Sequence, residues 1–316
     1  MRALVFDRNL QFRTDYPTPV ASPGESIVRV SLAGICGTDL ELARGYMQYR
    51  GVPGHEFCGR VVESQSPALR GKRVVGEINA GCGRCAACLD GLARHCPNRT
   101  VLGILGRDGA FAEFLSLPDV NLIPIPDSIT DEAAVFVEPL AAAYEIFDQV
   151  HLARNQTIAV MGDGRLGAMV AIALKGEKYL PIVAGHHPEK LARLAALGLQ
   201  TAEESSLRDQ FDAVIECSGS QSGFRRAIEL VRPRGTIILK STAAASAELN
   251  LAPIVVNEIT VIGSRCGRFQ PALDALAAGK IDPRPLIDGT FALEDAIAAF
   301  DAASNPLDFK ILLRAM

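Results

Sequence analysis

Long apolar segments are absent from this sequence of 316 residues. A membrane-spanning helix needs about 18 or more consecutive apolar residues, whereas the longest candidate, residues 133–144, contains Glu138 and Pro139. The N-terminal segment reaches Asp7 and Arg8 before it builds the apolar region of a signal peptide. These absences argue against a membrane protein, and we expect a soluble, cytoplasmic one.

An excess of either charge is also absent. Lys and Arg together number 32 and Asp and Glu 36, which gives a formal net charge of −4 without a dense basic stretch. Nothing in this balance favours a nucleic acid or an anionic membrane as partner. Internal repeats and low-complexity segments are missing as well. With 48% hydrophobic and 22% charged residues, the composition is that of a globular chain, and the length suggests two domains.

Cysteine, by contrast, is concentrated in one place. Four of the eight cysteines follow a C-x2-C-x2-C-x7-C spacing, at Cys82, Cys85, Cys88 and Cys96. Disulfides are rare in a reducing compartment, whereas thiolates at this spacing can surround one tetrahedral zinc ion. Four protein ligands leave no position for substrate, so we predict a structural zinc. The alternative interpretation is a set of unligated thiols.

The hydrophobic pattern changes character near residue 130. Before it, short β-branched runs broken by Gly and Pro predict a β-rich domain with strands at 27–35, 57–64 and 73–79. Thr130 predicts the N-cap of a helix that continues through Phe147. Strands and helices then alternate, which predicts parallel βαβ units. The predicted strands are 157–162, 180–185, 212–219, 235–241 and 259–264, with helices at 165–175, 188–197, 270–278 and 293–303 and a closing strand at 309–316.

A glycine motif follows the first of these strands. Gly162, Gly164 and Gly167 form a G-x-G-x-x-G pattern that opens a helix with Arg165 and Leu166. In that context the first glycine permits a tight turn, the second lets the backbone approach a pyrophosphate, and the third allows close packing of helix on strand. The motif therefore predicts a dinucleotide site. A turn without a ligand is the alternative.

The end of the second strand bears on the choice of dinucleotide. An Asp or Glu there would bind the adenosine ribose and favour NAD, but the strand ends at Gly185 and His186 follows. His186 and Lys190 could approach a 2′-phosphate, which gives a mild preference for NADP. The alternative is that the histidines lie solvated on a loop.

The order of the motifs resembles the zinc-dependent medium-chain dehydrogenases, the superfamily of alcohol, polyol, sugar and threonine dehydrogenases. The motifs are Cys36-Gly37-Thr38-Asp39, Gly54-His55-Glu56, the four-cysteine loop, Val137-Glu138-Pro139-Leu140, the glycine motif, Ile262-Gly263-Ser264 and Lys310-Ile311-Leu312-Leu313. The likeness implies an α/β fold with a GroES-like β-rich catalytic domain and an inserted Rossmann domain, a doubly wound parallel sheet. We expect residues 1–137 and 266–316 in the first domain and 138–265 in the second.

The resemblance also implies a catalytic zinc. Cys36 and His55 match two of its ligands, and Asp39 matches a residue that hydrogen-bonds the ligating histidine. The third ligand is open between two glutamates. We favour Glu138, with Glu56 alternating or lying behind the ligands, because a catalytic site keeps three protein ligands and one open position.

Two further residues concern the proton of the substrate. Thr38 resembles the hydroxyl that takes the proton from an alcohol while a hydride moves to the nicotinamide. Glu41 stands where many relatives have a histidine at the outer end of the proton relay, so proton release uses Glu41 or water. Alternatively, Glu41 is a solvated surface residue. The expected activity is a zinc- and NAD(P)-dependent oxidoreductase of a polyol, sugar or secondary alcohol.

Two other functions compete with this one. The first is a catalytically idle member that binds nucleotide as a regulator or structural protein. The intact set of Cys36, Thr38, His55 and Glu138 argues against it, because a binding protein needs no open zinc site. The second is a nucleic-acid module built on the four-cysteine loop, which the net charge disfavours. From the resemblance we expect a homo-oligomer, a dimer or tetramer, with two zinc ions in each chain and a small alcohol or carbonyl compound as substrate.

Overall fold

The computed structural model describes residues 1–208, 210–242 and 249–315. Two compact units divide the chain, the first formed by residues 1–138 with 282–316 and the second by residues 139–281. The second unit is thus inserted into the chain of the first. Within the described residues, no helix is long and apolar enough to span a bilayer.

The first unit begins as a β-rich segment with short helices. Its strands are β1 (Ala3–Asp7), β2 (Asn9–Arg13), β3 (Glu25–Gly34), β4 (Glu56–Glu63), β5 (Arg73–Gly76), β6 (Asn79–Ala80), β7 (Thr100–Val101), β8 (Phe114–Pro118) and β9 (Leu122–Pro124). Its helices are α1 (Gly37–Ala43), α2 (Ala86–Leu89) and α3 (Asp131–Ala134). The strands β3, β4 and β5 confirm those predicted from the β-branched runs.

The helix predicted after Thr130 starts as expected but does not continue. The Thr130 hydroxyl accepts a hydrogen bond from the backbone N–H of Ala133 at 3.3 Å, which is the predicted N-cap. A single helix through Phe147 is wrong, because α3 stops and α4 (Val137–Gln149) begins after a turn. Val135 and Phe136 in that turn are fully buried, so tertiary packing overrides the helical pattern there.

The second unit is a six-stranded sheet with helices between its strands. The strands are β10 (Ile158–Met161), β11 (Ile182–Gly185), β12 (Gln200–Glu203), β13 (Phe211–Glu216), β14 (Val231–Leu239) and β15 (Thr260–Gly263), in the order β12-β11-β10-β13-β14-β15 and all parallel. The helices are α5 (Arg165–Gly176), α6 (Pro188–Ala196), α7 (Gln221–Leu230), α8 (Ala252–Val256) and α9 (Phe269–Ala277). This confirms the doubly wound Rossmann sheet, whose order reverses between β10 and β13, the place where such folds bind ligands.

The chain finally returns to complete the first unit. It adds β16 (Ile287–Ala292), α10 (Ala296–Ala303) and β17 (Lys310–Arg314). The resulting seven-stranded sheet has the order β16-β17-β3-β4-β5-β9, with β8 also paired to β3. Met316, the last residue of the predicted closing strand, lies outside the described residues. Because β17 pairs antiparallel with β3, residues near the C-terminus lie beside the segment that leads to Cys36.

Candidate metal and nucleotide sites

The four-cysteine loop brings its sulfur atoms together. The Sγ atoms of Cys82, Cys85, Cys88 and Cys96 all lie within 4.8 Å of one another, and Cys85 Sγ is 3.6 Å from Cys96 Sγ. Hydrogen bonds from the backbone N–H groups of Arg84 and Cys85 lower the pKa of Cys82 to about 6. A hydrogen bond from the backbone of Cys88 acts to lower the pKa of Cys85, but burial and the neighbouring thiols raise it to about 11, so Cys85, unlike Cys82, does not favour the thiolate on its own. Four thiols that converge on one point match the donor set of a closed tetrahedral zinc site.

A second ligand cluster lies where α1 and β4 begin. One ligand atom from each of Cys36, His55 and Glu56 lies within 4.8 Å of the others. His55 and Glu56 are buried, and Cys36 is half-buried just before α1. Sulfur, imidazole nitrogen and carboxylate oxygen are all ligand types that zinc takes. From the sequence, Cys36 and His55 were predicted to bind the same ion only because of the family resemblance.

Asp39 connects the parts of this cluster. Its Oδ2 accepts the backbone N–H of Cys36 at 2.8 Å, and its Oδ1 accepts the N–H of Gly54 at 3.1 Å and lies 3.3 Å from His55 Nδ1. Burial alone would lower the pKa of His55, but the charge of Asp39 raises it well above the ordinary value. The buried carboxylate of Asp39 therefore fixes the start of α1 and faces the imidazole ring.

Glu56 has a partner that sequence reasoning did not identify. The Glu56 Oε2 atom forms a salt bridge with Lys310 Nζ, and both side chains are almost fully buried. The ammonium also lies 5.5 Å from the ring centroid of Phe136. A Cβ on Gly34 would lie 2.5 Å from Glu56 Oε2, so only glycine at this position leaves room for the carboxylate.

Glu138 faces the same charges but is not part of the three-residue ligand cluster. It is half-buried at the start of α4. Burial raises the pKa of Glu138 to about 7, while the charges of His55 and Lys310 act to lower it and that of Glu56 acts to raise it. The structure thus gathers Cys36, His55 and Glu56 most closely and places Glu138 within their electrostatic reach.

The two residues of the expected proton path differ in exposure. Thr38 is half-buried in α1, and its Oγ1 lies 3.8 Å from Cys36 Sγ. Glu41 is 48% exposed and forms a salt bridge with Arg44 Nη1 at 2.6 Å. Thr38 is therefore beside the ligand cluster, whereas Glu41 lies on the outer surface of α1.

In the second unit, the glycine motif has the geometry that its sequence predicts. Gly162 follows β10 with a φ of +112°, a conformation that favours glycine. A Cβ on Gly167 would lie 1.9 Å from the carbonyl oxygen of Gly162, whereas a Cβ on Gly164 would meet no described atom within 4 Å. Gly167 therefore allows α5 to pack on the turn, and Gly164 leaves open backbone for a ligand. Arg165 and Leu166 lie half-buried in the first turn of α5.

Carboxylates act on both cationic residues expected near the dinucleotide, His186 through an ion pair and Lys190 through its electrostatic interaction with Asp163. His186 Nε2 lies 2.9 Å from Glu204 Oε2. Lys190 is buried, and its charge acts on Asp163, the second residue of the glycine motif. Sequence reasoning missed both Asp163 and Glu204. The only sequence signal for either residue was the position of Asp163 between the first two glycines of the motif.

Two family descriptions match this chain, an alcohol dehydrogenase GroES-like domain over residues 22–127 and a zinc-binding dehydrogenase domain over residues 166–278. The starvation-sensing protein RspB of Escherichia coli K12 is 32% identical, with 91% of each chain covered. L-threonine 3-dehydrogenase of Rhizobium rhizogenes is 28% identical over 94% of this chain and 93% of its own length.

Solved structures agree with these relatives. A short chain alcohol dehydrogenase (RspB) of Escherichia coli CFT073, complexed with NADH, superposes with a TM-score of 0.91 at 28% identity over 99% of both chains. A zinc-binding dehydrogenase of Sinorhizobium meliloti 1021, bound to NADP, gives a TM-score of 0.90 at 26% identity over 99% of this chain and 98% of its own. Proteins similar to this chain therefore bind either dinucleotide.

Proposed function

Because the chain belongs to the zinc-dependent medium-chain dehydrogenase/reductase family, we propose that it transfers a hydride between an alcohol and NAD(P) at a zinc site formed by Cys36 and His55. The observation that carries this proposal is the convergence of Cys36, His55 and Glu56 in a largely buried cluster, with Asp39 beside the imidazole. The alternative of an idle nucleotide-binding member gives no reason for such a donor set.

The chain's own residues supply the metal ligands and their orientation. Cys36 and His55 would hold the ion, and Asp39 would orient the imidazole ring. Glu138 remains the favoured third ligand, because Glu56 is already paired with Lys310. Glu56 would either alternate with Glu138 as ligand or lie behind the ligands without binding the ion. Zinc bound there supplies a Lewis acid that stabilises the alkoxide form of the alcohol.

The proposed proton path starts at Thr38. Its hydroxyl lies beside the ligand cluster, where it can accept the proton of the substrate hydroxyl while its own proton passes outward. Glu41 or water then receives that proton. A nicotinamide cofactor bound at the glycine motif would supply the hydride acceptor, and loss of a hydride from the carbinol carbon would turn the alcohol into a carbonyl compound.

A second zinc, at Cys82, Cys85, Cys88 and Cys96, is proposed to be structural. Its four thiolates complete the coordination without an open position. The dinucleotide is proposed to bind at Gly162, Gly164 and Gly167, which leave the backbone approachable before α5. A cytoplasmic location stays a prediction, as does the domain boundary at 265/266.

The substrate class is proposed to be a polyol, sugar or secondary alcohol. Purified, zinc-containing protein is assayed with a panel of these compounds and L-threonine, each with NAD⁺ and with NADP⁺, by the absorbance of the reduced nicotinamide. We expect substrate-dependent reduction that falls about 100-fold or more in Thr38→Val and stays unchanged in Arg13→Ala, which removes an exposed side chain paired with Asp15 in the same unit. Thr38→Val retaining full activity would remove the proposed proton path, and no reduction with any compound would contradict the function.

A homo-oligomer is also proposed. Strand β15 is the last strand in the sheet order of the second unit, and Val255 and Val256 of the neighbouring α8 are 74% and 78% exposed. An exposed edge strand beside apolar side chains is a common site of association. Light scattering coupled to size exclusion measures the state, and a monomer at all protein concentrations would contradict the proposal.

A further inference from the structure

The end of strand β11 lacks the residue by which NAD-binding Rossmann domains choose their dinucleotide. Such domains carry an Asp or Glu there, which hydrogen-bonds the adenosine ribose 2′-hydroxyl and disfavours a 2′-phosphate. Here the strand ends at Gly185, followed by His186. The sequence alone therefore gives a mild preference for NADP, but the side chains around this point favour NAD.

Asp163 brings a carboxylate to the place of the missing acid. Its Oδ2 accepts the backbone N–H of His186 at 3.0 Å and that of His187 at 2.8 Å. A Cβ on Gly185 would lie 2.3 Å from this oxygen and 2.4 Å from Asp163 Cβ. No side chain fits at position 185, because Asp163 of the neighbouring strand end already occupies that space.

This carboxylate is buried and charged. Asp163 is 5% exposed. Burial acts to raise its pKa, but the hydrogen bonds from His187 and the charge of Lys190 outweigh burial and lower the pKa of Asp163. The group is therefore ionised at neutral pH, with His187 Nδ1 3.1 Å from its oxygens and the charge of Lys190 also acting on it.

A second carboxylate, that of Glu204, forms an ion pair with the other cationic candidate, His186. Strand β12 pairs with β11 so that Gly185 lies opposite Glu203, and Glu204 follows directly. The Glu204 Oε2 atom is 2.9 Å from His186 Nε2. Of the two cationic candidates for a 2′-phosphate, His186 is thus paired with Glu204, and Lys190 interacts electrostatically with Asp163.

We propose that Asp163 and Glu204 make this chain select NAD(H) over NADP(H), by supplying from the glycine motif and from the end of β12 the negative charge that β11 lacks. A 2′-phosphate would meet like charge at this edge of the sheet, whereas a ribose hydroxyl would meet hydrogen-bond acceptors. The inference rests on the proposed function, because it assumes that the dinucleotide binds at the glycine motif.

The test is the direct measurement of dissociation constants for NADH and NADPH by calorimetry, on the full chain with its zinc. We expect NADH to bind at least about tenfold more tightly than NADPH, the size of effect that one repelled charge produces. Glu204→Gln and Asp163→Asn keep the size of each side chain and remove its charge. Each is expected to reduce the ratio of the two constants about threefold or more, mainly through tighter NADPH binding.

Glu258→Gln is the matched control. This substitution also removes one negative charge from the second unit. Glu258, however, lies just before the amino end of β15, away from the carboxyl ends of the strands, and its side chain is 72% exposed. Its ratio is expected to stay within about twofold of that of the parent protein, because an exposed charge at such a distance is screened.

An exchange variant tests the argument about space. Asp163→Gly alone is expected to lose the preference for NADH, and Asp163→Gly combined with Gly185→Asp is expected to regain it, since the carboxylate then comes from the end of β11. Should Asp163 variants fail to fold, Glu204→Gln still decides the question.

The outcomes separate this inference from the proposed function. Equal or tighter binding of NADPH by the parent protein, or a ratio unmoved by Glu204→Gln, overturns the inference and leaves the dehydrogenase proposal standing. If the protein binds neither NADH, NADPH nor ADP-ribose, both the inference and the proposed function are overturned.

Discussion

At the scale of single residues, the candidate zinc site contains a buried ion pair, Glu56 with Lys310. Both side chains are almost completely removed from water. Each buried ion costs several kcal/mol of hydration, which its partner offsets only while both are present. The salt bridge to Lys310 therefore holds the Glu56 carboxylate in position beside His55 and Cys36.

Replacing Lys310 by Met tests this role. The variant leaves the Glu56 carboxylate buried without its counterion, and we expect the free energy of unfolding to fall by about 3–5 kcal/mol, measured by urea denaturation. Arg44→Ala is the control, since it breaks the exposed Arg44–Glu41 pair and is expected to cost less than about 1 kcal/mol. Equal losses in the two variants would show that burial does not make the Glu56–Lys310 pair special.

Sequence reasoning could not identify such residue pairs. Glu56 and Lys310 are 254 positions apart, and no local pattern links a lysine in the last strand to a carboxylate in β4. Asp163 likewise reads as one residue of a glycine motif until the fold brings it to Gly185. Cys36 and His55 were identified only because whole-chain resemblance supplied the link that spacing does not.

At the scale of elements, the strand, turn and helix around the glycine motif were predictable because their signals are local. The strand is apolar, the glycines are spaced for a tight turn, and the helix begins at Arg165 as predicted. The prediction of a single helix after Thr130 was wrong because the break in that helix has no local signal. Its break at Val135 and Phe136 depends on packing in the core, which helical periodicity does not encode.

A pair of alanine substitutions separates the roles of the second and third glycines. Gly167→Ala places a Cβ 1.9 Å from a backbone oxygen, so we expect it to lower the free energy of unfolding by about 1–3 kcal/mol. Gly164 has a φ of −79°, which alanine also adopts, and its Cβ would enter open space. We expect Gly164→Ala to keep its stability but to bind NADH about tenfold or more weakly, because the backbone can no longer approach the pyrophosphate.

Urea denaturation and calorimetric titration with NADH are carried out on both variants. Gly164→Ala with unchanged NADH affinity would contradict the assignment of the pyrophosphate to this turn. Gly167→Ala with unchanged stability would contradict the close packing of α5 on the turn after β10.

At the scale of the whole molecule, the β-rich beginning and the alternating middle of the sequence predicted the two kinds of sheet. The return of the chain to the first unit was implied by resemblance alone. Strand β17, near the C-terminus, pairs with β3, near the N-terminus. Neither composition nor periodicity indicates this contact between distant parts of the sequence. The donor sets of the two cysteine-containing clusters are both complete within the first unit.

The zinc content of the purified protein tests the central claim most directly. Elemental analysis of protein prepared without chelator is compared among the parent chain, Cys36→Ala and Cys88→Ala. We predict about two zinc ions per chain in the parent and about one in each variant, because one open and one closed site each lose a ligand. A parent value of about one that Cys36→Ala leaves unchanged would contradict the catalytic zinc and, with it, the proposed dehydrogenase mechanism.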